Sequence, residues 1–203
     1  MRAGARVAAV LLAAGRSTRM GADNKLLALV DGKPMVRHAA EAAVASSARP
    51  VLVVTGHQGA QVRASLAGLD VDFLDNARFA DGLSTSLVCG IAAVPVDCAG
   101  ALVLLGDMPL IAAAHLERLI DAFRASGEQA IVVPTHAGRR GNPVLWPRAH
   151  FAAILELQGD AGARRLLAAH ARDVREVDLG TDAIFADVDT PEALARLRGA
   201  TSC

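Results

Sequence analysis

The chain of 203 residues has no net charge, its 21 Lys and Arg being balanced by 21 Asp and Glu. Proteins that bind polyanions or acidic membrane surfaces usually carry excess cations. Nucleic acid and membrane are therefore not expected partners, and any anion site must be local. Long apolar runs are also lacking. Near the N-terminus the longest, Val7 to Ala14, has eight residues, whereas a membrane span needs about 20. Arg2 and Arg6 precede it, as in a signal peptide, but it runs into Gly15 and more cations instead of a cleavage site. The expectation is a soluble, cytoplasmic protein. Cys89, Cys98 and Cys203 show no metal-ligand spacing and read as two small core residues and a tail thiol. With no repeat, low-complexity segment or linker, residues 1–203 read as one domain, long enough to bury a sizeable core.

What is present is an alternation of short β-rich and Ala-rich segments. Strands are expected at Arg6–Leu12, Pro50–Thr55, Val71–Leu74, Ala101–Leu105, Ala130–Pro134, Val144–Trp146 and Val174–Asp178. Continuous apolar runs such as Val51 to Val54 and Leu102 to Leu105 suit strands covered on both faces. Helices are expected at Pro34–Ser46, Ala60–Ala67, Ser84–Val94, Ala112–Ser126, Pro147–Glu156, Gly162–His170 and Pro191–Arg198. Leu116, Leu119, Ile120 and Phe123 form one helical stripe. The pattern predicts an α/β fold, a mostly parallel sheet between helices. It weakens after Pro134, where antiparallel additions are expected. His136–Asn142 reads as a mobile loop.

Ligands of such sheets bind outside the carboxyl ends of the strands. The first strand exits into LLAAGRSTRMGADNKLL, residues 11–27, which places Arg16, Arg19 and Lys25 after Gly15. A turn of this kind can cradle phosphate oxygens with backbone N–H groups, and Arg offers a matching fork. A solvated loop whose cations pair with surface acids explains the same residues. The GxxxxGK[ST] loop fails because Ala22 and Asp23 follow Gly21, and GxGxxG fails because position 17 is Ser. Asp107 leaves the fourth strand in LLGDMPL, a place for a hard-metal ligand or for an Asx turn before Pro109. Ser84, Thr85 and Ser86 are N-cap candidates for the helix that follows DNARFADGL.

LAAGRSTRMGADNKLL resembles the nucleotidyltransferase signature LAAGxSxRMGxxK, in which the loop wraps an NTP triphosphate. Four further motifs follow in the order of the molybdenum cofactor cytidylyltransferase branch: an Asn-containing segment at Asn76, where Ala77 replaces the usual Pro; GDMP; GNPV with GDAGAR; and DVDTPEAL. The resemblance implies a Rossmann-like three-layer nucleotidyltransferase fold. It implies nucleotide contacts from Leu12, Ala13, Ala14, Gly15, Arg16, Ser17, Arg19, Lys25, Gly56, Asn76, Ser84 and Asp107, with Arg19, Lys25 and Asp107 catalytic. It places Asn142, Gly159, Asp160, Gly162 and Arg164 at the acceptor, and Mg²⁺ on Asp107 and Asp189, with Asp187 the less certain acid of its motif. The implied reaction transfers CMP from CTP to molybdopterin cofactor, with a recipient molybdoenzyme as further partner. Rival readings are a guanylyltransferase, whose branch has Leu-Ala-Gly-Gly where this chain has Leu12-Ala13-Ala14-Gly15, a cytidylyltransferase for a small polyol phosphate, and a non-catalytic cofactor chaperone.

Overall fold

A computed structural model describes residues 6–16, 24–159, 162–188 and 190–200. Its strands are β1 (Arg6–Ala13), β2 (Leu29–Val30), β3 (Lys33–Pro34), β4 (Val51–Thr55), β5 (Asp72–Asp75), β6 (Cys98–Leu105), β7 (Ile131–His136), β8 (Arg139–Arg140), β9 (Val144–Pro147) and β10 (Val174–Asp178). Its helices are α1 (Met35–Ala45), α2 (Gly59–Ser65), α3 (Leu83–Ala92), α4 (Ala113–Ala125), α5 (Phe151–Leu155), α6 (Gly162–Ala169) and α7 (Pro191–Ala200). The main sheet runs β10-β7-β9-β6-β1-β4-β5, with β8 paired to β7. β5, β4, β1 and β6 are mutually parallel, β9 lies antiparallel between β6 and β7, and β10 is parallel to β7.

Side-chain alternation along β1 builds both layers. Val7, Ala9, Leu11 and Ala13 enter a core shared with α1 and the buried stripe Leu116, Leu119, Ile120 and Phe123 of α4. Ala8, Val10, Leu12 and Ala14 enter the opposite core, with Leu87 and Ile91 of α3 and Phe151 and Ile154 of α5. A strand buried on both faces has no polar side to show, which explains its unbroken apolar sequence. A small third cluster, Val30, Met35, Val188 and Leu194, seats the β2–β3 hairpin against the C-terminal segment. No described helix is long and apolar enough to cross a membrane.

The expected α/β architecture, with antiparallel strands after Pro134, is the one observed. Two local readings need correction. His136–Asn142 is not an open loop: β7 continues to His136 and reverses through Ala137 and Gly138, both at positive φ, into β8. That backbone is the one a two-residue hairpin with native twist requires. The segment read as one helix from Pro147 starts instead as a 3-10 turn, Arg148–His150, before α5. Arg148 explains the break, since its guanidinium donates to the carbonyls of Cys98 and Pro95 and ties the turn to the start of β6.

Helix α3 crosses the sheet at Gly90. A Cβ there would stand 2.3 Å from Val10 Cγ1 and 3.1 Å from Val54 Cγ2. Gly90→Ala adds about 1 kcal/mol of helix propensity but forces α3 off β1 and β4, an overpacking cost of about 1–3 kcal/mol. Urea unfolding is expected to show a net loss of stability. A variant as stable as wild type would show that the α3–sheet contact is soft.

Candidate active site

The strand order reverses between β1 and β6: the chain leaves β1 toward β4 and β5, then returns to the other side of β1 as β6. The carboxyl ends of the two strands flanking this reversal form the crevice in which open α/β sheets bind ligands. Gly106 N–H donates to Leu12 O at 3.0 Å, locking the exit of β6 to that of β1. A Cβ on Gly106 would meet Leu12 O and Leu26 Cδ2 at 3.2 Å, so the close approach of the two exits favours glycine.

Lys25 and Asp107 meet at this point. Lys25 Nζ lies 2.5 Å from Asp107 Oδ2, with side-chain exposures of 13% and 15%. Asn24 sets the lysine's place. Its side chain is buried, its Oδ1 accepts from Leu26 N–H at 3.1 Å, and its Nδ2 donates to His57 O at 3.4 Å. Asn24 was not singled out from sequence, although it is an N-cap residue type two positions before the apolar pair Leu26-Leu27. Asp107 Oδ1 is buried and has no hydrogen-bond partner among the described residues.

A cleft of about 570 Å³ opens above this pair. Leu12, Ala14, Gly15, Arg16, Lys25, Asp107, Asn142 and Arg164, all singled out from sequence, line it together. Asp187 lines it too, brought in by the Val188 N–H, which donates to Asp107 O at 3.1 Å. Phe79, Gly82, Leu83 and Ser86 complete one wall and were missed. They precede or open α3, in a segment where the sequence was read for helix caps and for nucleotide contacts from Asn76 and Ser84. Ser17, Arg19, Asp160 and Asp189 lie outside the described residues.

Four expected nucleotide contacts are placed differently. Ala13 is fully buried in the core on the opposite face from Leu12 and Ala14, because strand side chains alternate. Gly56 packs beneath the cleft, where a Cβ would strike Phe79 Cβ at 2.7 Å and Ala14 Cβ at 2.9 Å. Asn76 is buried. Its Nδ2 donates to Thr85 Oγ1 (2.9 Å) and Ser86 Oγ (3.0 Å), and its Oδ1 accepts from Arg78 N–H (2.9 Å), so it clasps the start of α3. Ser84 donates to Gly159 O. The residue before α3 is Gly82, with no side-chain cap, so Ser84, Thr85 and Ser86 do not cap the helix as expected. Gly159 borders a neighbouring depression with Asn76, and α6 begins at Gly162.

The donor set fits a hard divalent cation: a buried carboxylate oxygen without a partner, a second carboxylate in the same cleft, and phosphate-suited cations nearby. A three-layer α/β domain with an acid–lysine pair at its switch point defines a phosphate-handling nucleotide-binding protein. The family model of the MobA-like NTP transferase domain matches residues 9–174, and the chain belongs to that family. It is similar to the bifunctional protein GlmU of Kineococcus radiotolerans, with 36% identity over 202 residues. That match covers 94% of this chain and 38% of GlmU, so the chain spans well under half of that relative. It is also similar to the crystal structure of Rv0371c from Mycobacterium tuberculosis, with TM-score 0.83 and 29% identity over 97% of this chain and 99% of the other. A complex of Rv0371c with manganese has TM-score 0.80 and 28% identity, covering 96% and 99%.

Asp107→Asn keeps the side-chain volume but removes the anionic oxygen. Circular dichroism is expected to be unchanged and melting to fall by several degrees as Lys25 loses this charge partner, while Mg²⁺-dependent nucleotide binding, measured by titration calorimetry, should be lost. Unchanged binding would remove Asp107 from the cation site.

Proposed function

We propose that residues 1–203 act as one nucleotidyltransferase domain that transfers CMP from CTP to molybdopterin cofactor, releasing pyrophosphate. The observation that carries the transferase reading is the Lys25–Asp107 pair at the switch point, with Asp107 Oδ1 lacking a partner among the described residues. The base and the acceptor rest on motif resemblance: Ala14 in the LAAG signature, GDMP around Asp107, and the segments that contain Asn142 and Gly159 to Arg164.

The reaction needs positioning and charge neutralisation, not a covalent enzyme intermediate. An acceptor phosphate oxygen is already anionic, so no side-chain base is required. Lys25 moves from the Asp107 carboxylate to the triphosphate, and Arg16 with Arg19 adds donors against charge growing on the leaving phosphates. Asn142 and Arg164, which also line the cleft, orient the acceptor. Asp107, with Asp187 and Asp189 in the adjoining motif, would hold Mg²⁺, which would neutralise phosphate charge. The manganese complex of Rv0371c supports a divalent cation in this class of fold. The product would pass to a recipient molybdoenzyme.

Pyrophosphate release with Mg²⁺ and each of four NTPs, with and without molybdopterin cofactor, tests this reading. Release only with CTP and cofactor is the expected result. Preference for GTP would move the protein to the guanylyl branch, and no release with any NTP would favour a binding role. Lys25→Ala is expected to lower kcat by about 30- to 1000-fold, the loss of one preorganised donor at about 2–4 kcal/mol. A change within twofold would exclude Lys25 from charge stabilisation.

Base choice gives a finer test. The Ala14 methyl stands beside Gly56, and Ala14 and Phe79 both line the cleft. Ala14→Gly would open space there, so the CTP-over-GTP ratio of kcat/KM should fall without inverting. One methyl group is worth about 1–3 kcal/mol of discrimination. An unchanged ratio would clear Ala14 of a part in specificity.

A further inference from the structure

A second group of ligating side chains stands apart from the phosphate cleft. His150 ends the 3-10 turn after β9, His170 directly follows α6, and Asp173 ends the turn Ala171–Asp173 that leads into β10. None of the three lines the cleft. His150 is buried, with its ring edge-on to Trp146 and 4.5 Å from the His170 ring. His150 Nε2 lies 3.6 Å from Asp173 Oδ2, and His170 Nδ1 lies 3.3 Å from the same oxygen. One donor atom from each residue falls within a 4.8 Å set.

These spacings are informative. Charge-assisted N–H···O bonds close to about 2.7–2.9 Å, and both imidazole contacts are longer. Four ligands at zinc bond lengths of about 2.0–2.1 Å have tetrahedral edges of about 3.3–3.4 Å. Two of the three edges are already near that value, and small side-chain rotations can close the third. Asp173 is 48% exposed, so the cluster is reachable from solvent on its side. Two imidazoles and one carboxylate suit a borderline transition metal, whereas Mg²⁺ and Ca²⁺ prefer all-oxygen sites.

We propose that His150, His170 and Asp173 form a Zn²⁺-class site independent of the catalytic cation. Its effect would be a clip. His170 lies six residues beyond Arg164, about 9 Å along the helix axis. Metal held there ties the C-terminal end of α6 to the turn after β9, and so steadies the helix that presents Arg164 to the cleft.

The test uses metal-free, full-length protein titrated with Co²⁺ and then Zn²⁺. Trp146 is the sole tryptophan, and its ring centroid lies 6.4 Å from that of His150, so paramagnetic Co²⁺ bound at the site should quench its fluorescence. One equivalent of Co²⁺ should quench and give visible d–d bands of tetrahedral intensity, both reversed by Zn²⁺. Asp107→Asn should retain these signals. His170→Gln and Asp173→Asn, at more exposed positions than His150, should each weaken binding at least tenfold and abolish the Zn²⁺-induced rise in Tm, with circular dichroism unchanged. Absent binding in the wild type, equal binding in both of these variants, or loss of binding in Asp107→Asn would each overturn the proposal.

Discussion

The candidate site is organised around the contact of Lys25 Nζ with Asp107 Oδ2 at the exits of neighbouring strands. Both side chains are mostly shielded from water, so each charge gains from the other's presence. Together they leave this part of the cleft lining locally neutral. Arg16 and Lys25, the cations described after the first strand, both line this one cleft.

The sheet makes this pair possible. Because β6 lies beside β1, the loop after β1 and the acid after β6 are neighbours, although 82 residues separate Lys25 from Asp107. The Leu12–Gly106 hydrogen bond fixes the two exits, and the Asp107–Val188 bond recruits Asp187 from the C-terminal segment. Asn142 arrives by another route. Its N–H donates to Ile184 O, and the fit of Gly141 against Ile184 leaves no room for a side chain there. The proposed phosphate end of the cleft is thus built by the parallel half of the sheet, and the proposed acceptor end by the antiparallel and C-terminal part.

Oxygen-rich and nitrogen-rich groups are kept apart in this chain. Asp107 and Asp187 share the cleft with cations suited to phosphate, while the imidazoles of His150 and His170 converge on Asp173 elsewhere. Ligand hardness alone would let the two regions take different metals. Helix α6 joins them, with Arg164 near one end and His170 just beyond the other.

Much of the architecture was legible in the sequence because it depends on short-range patterning. The apolar runs of β1, β4 and β6 and the stripe of α4 could be buried only in a two-sided sheet. Gly15, Arg16, Lys25 and Asp107 were legible as a set because strand exits are where such folds expose polar chemistry. Side-chain commitments were not legible. Asn76 and Ser84 look like free polar donors in the sequence, yet packing spends them on Thr85, Ser86 and Gly159. Ala13 and Ala14 differ only by strand alternation, which turns one into a core and the other toward the cleft. The walls formed by Phe79 and Ser86, and the meeting of His150 with His170 and Asp173, depend on how separate helices settle on the sheet. Sequence patterning determined the main strands and most of the helices, because each follows from neighbours along the chain. Only the tertiary structure decided which polar groups stay available to a ligand, because that depends on partners distant in sequence.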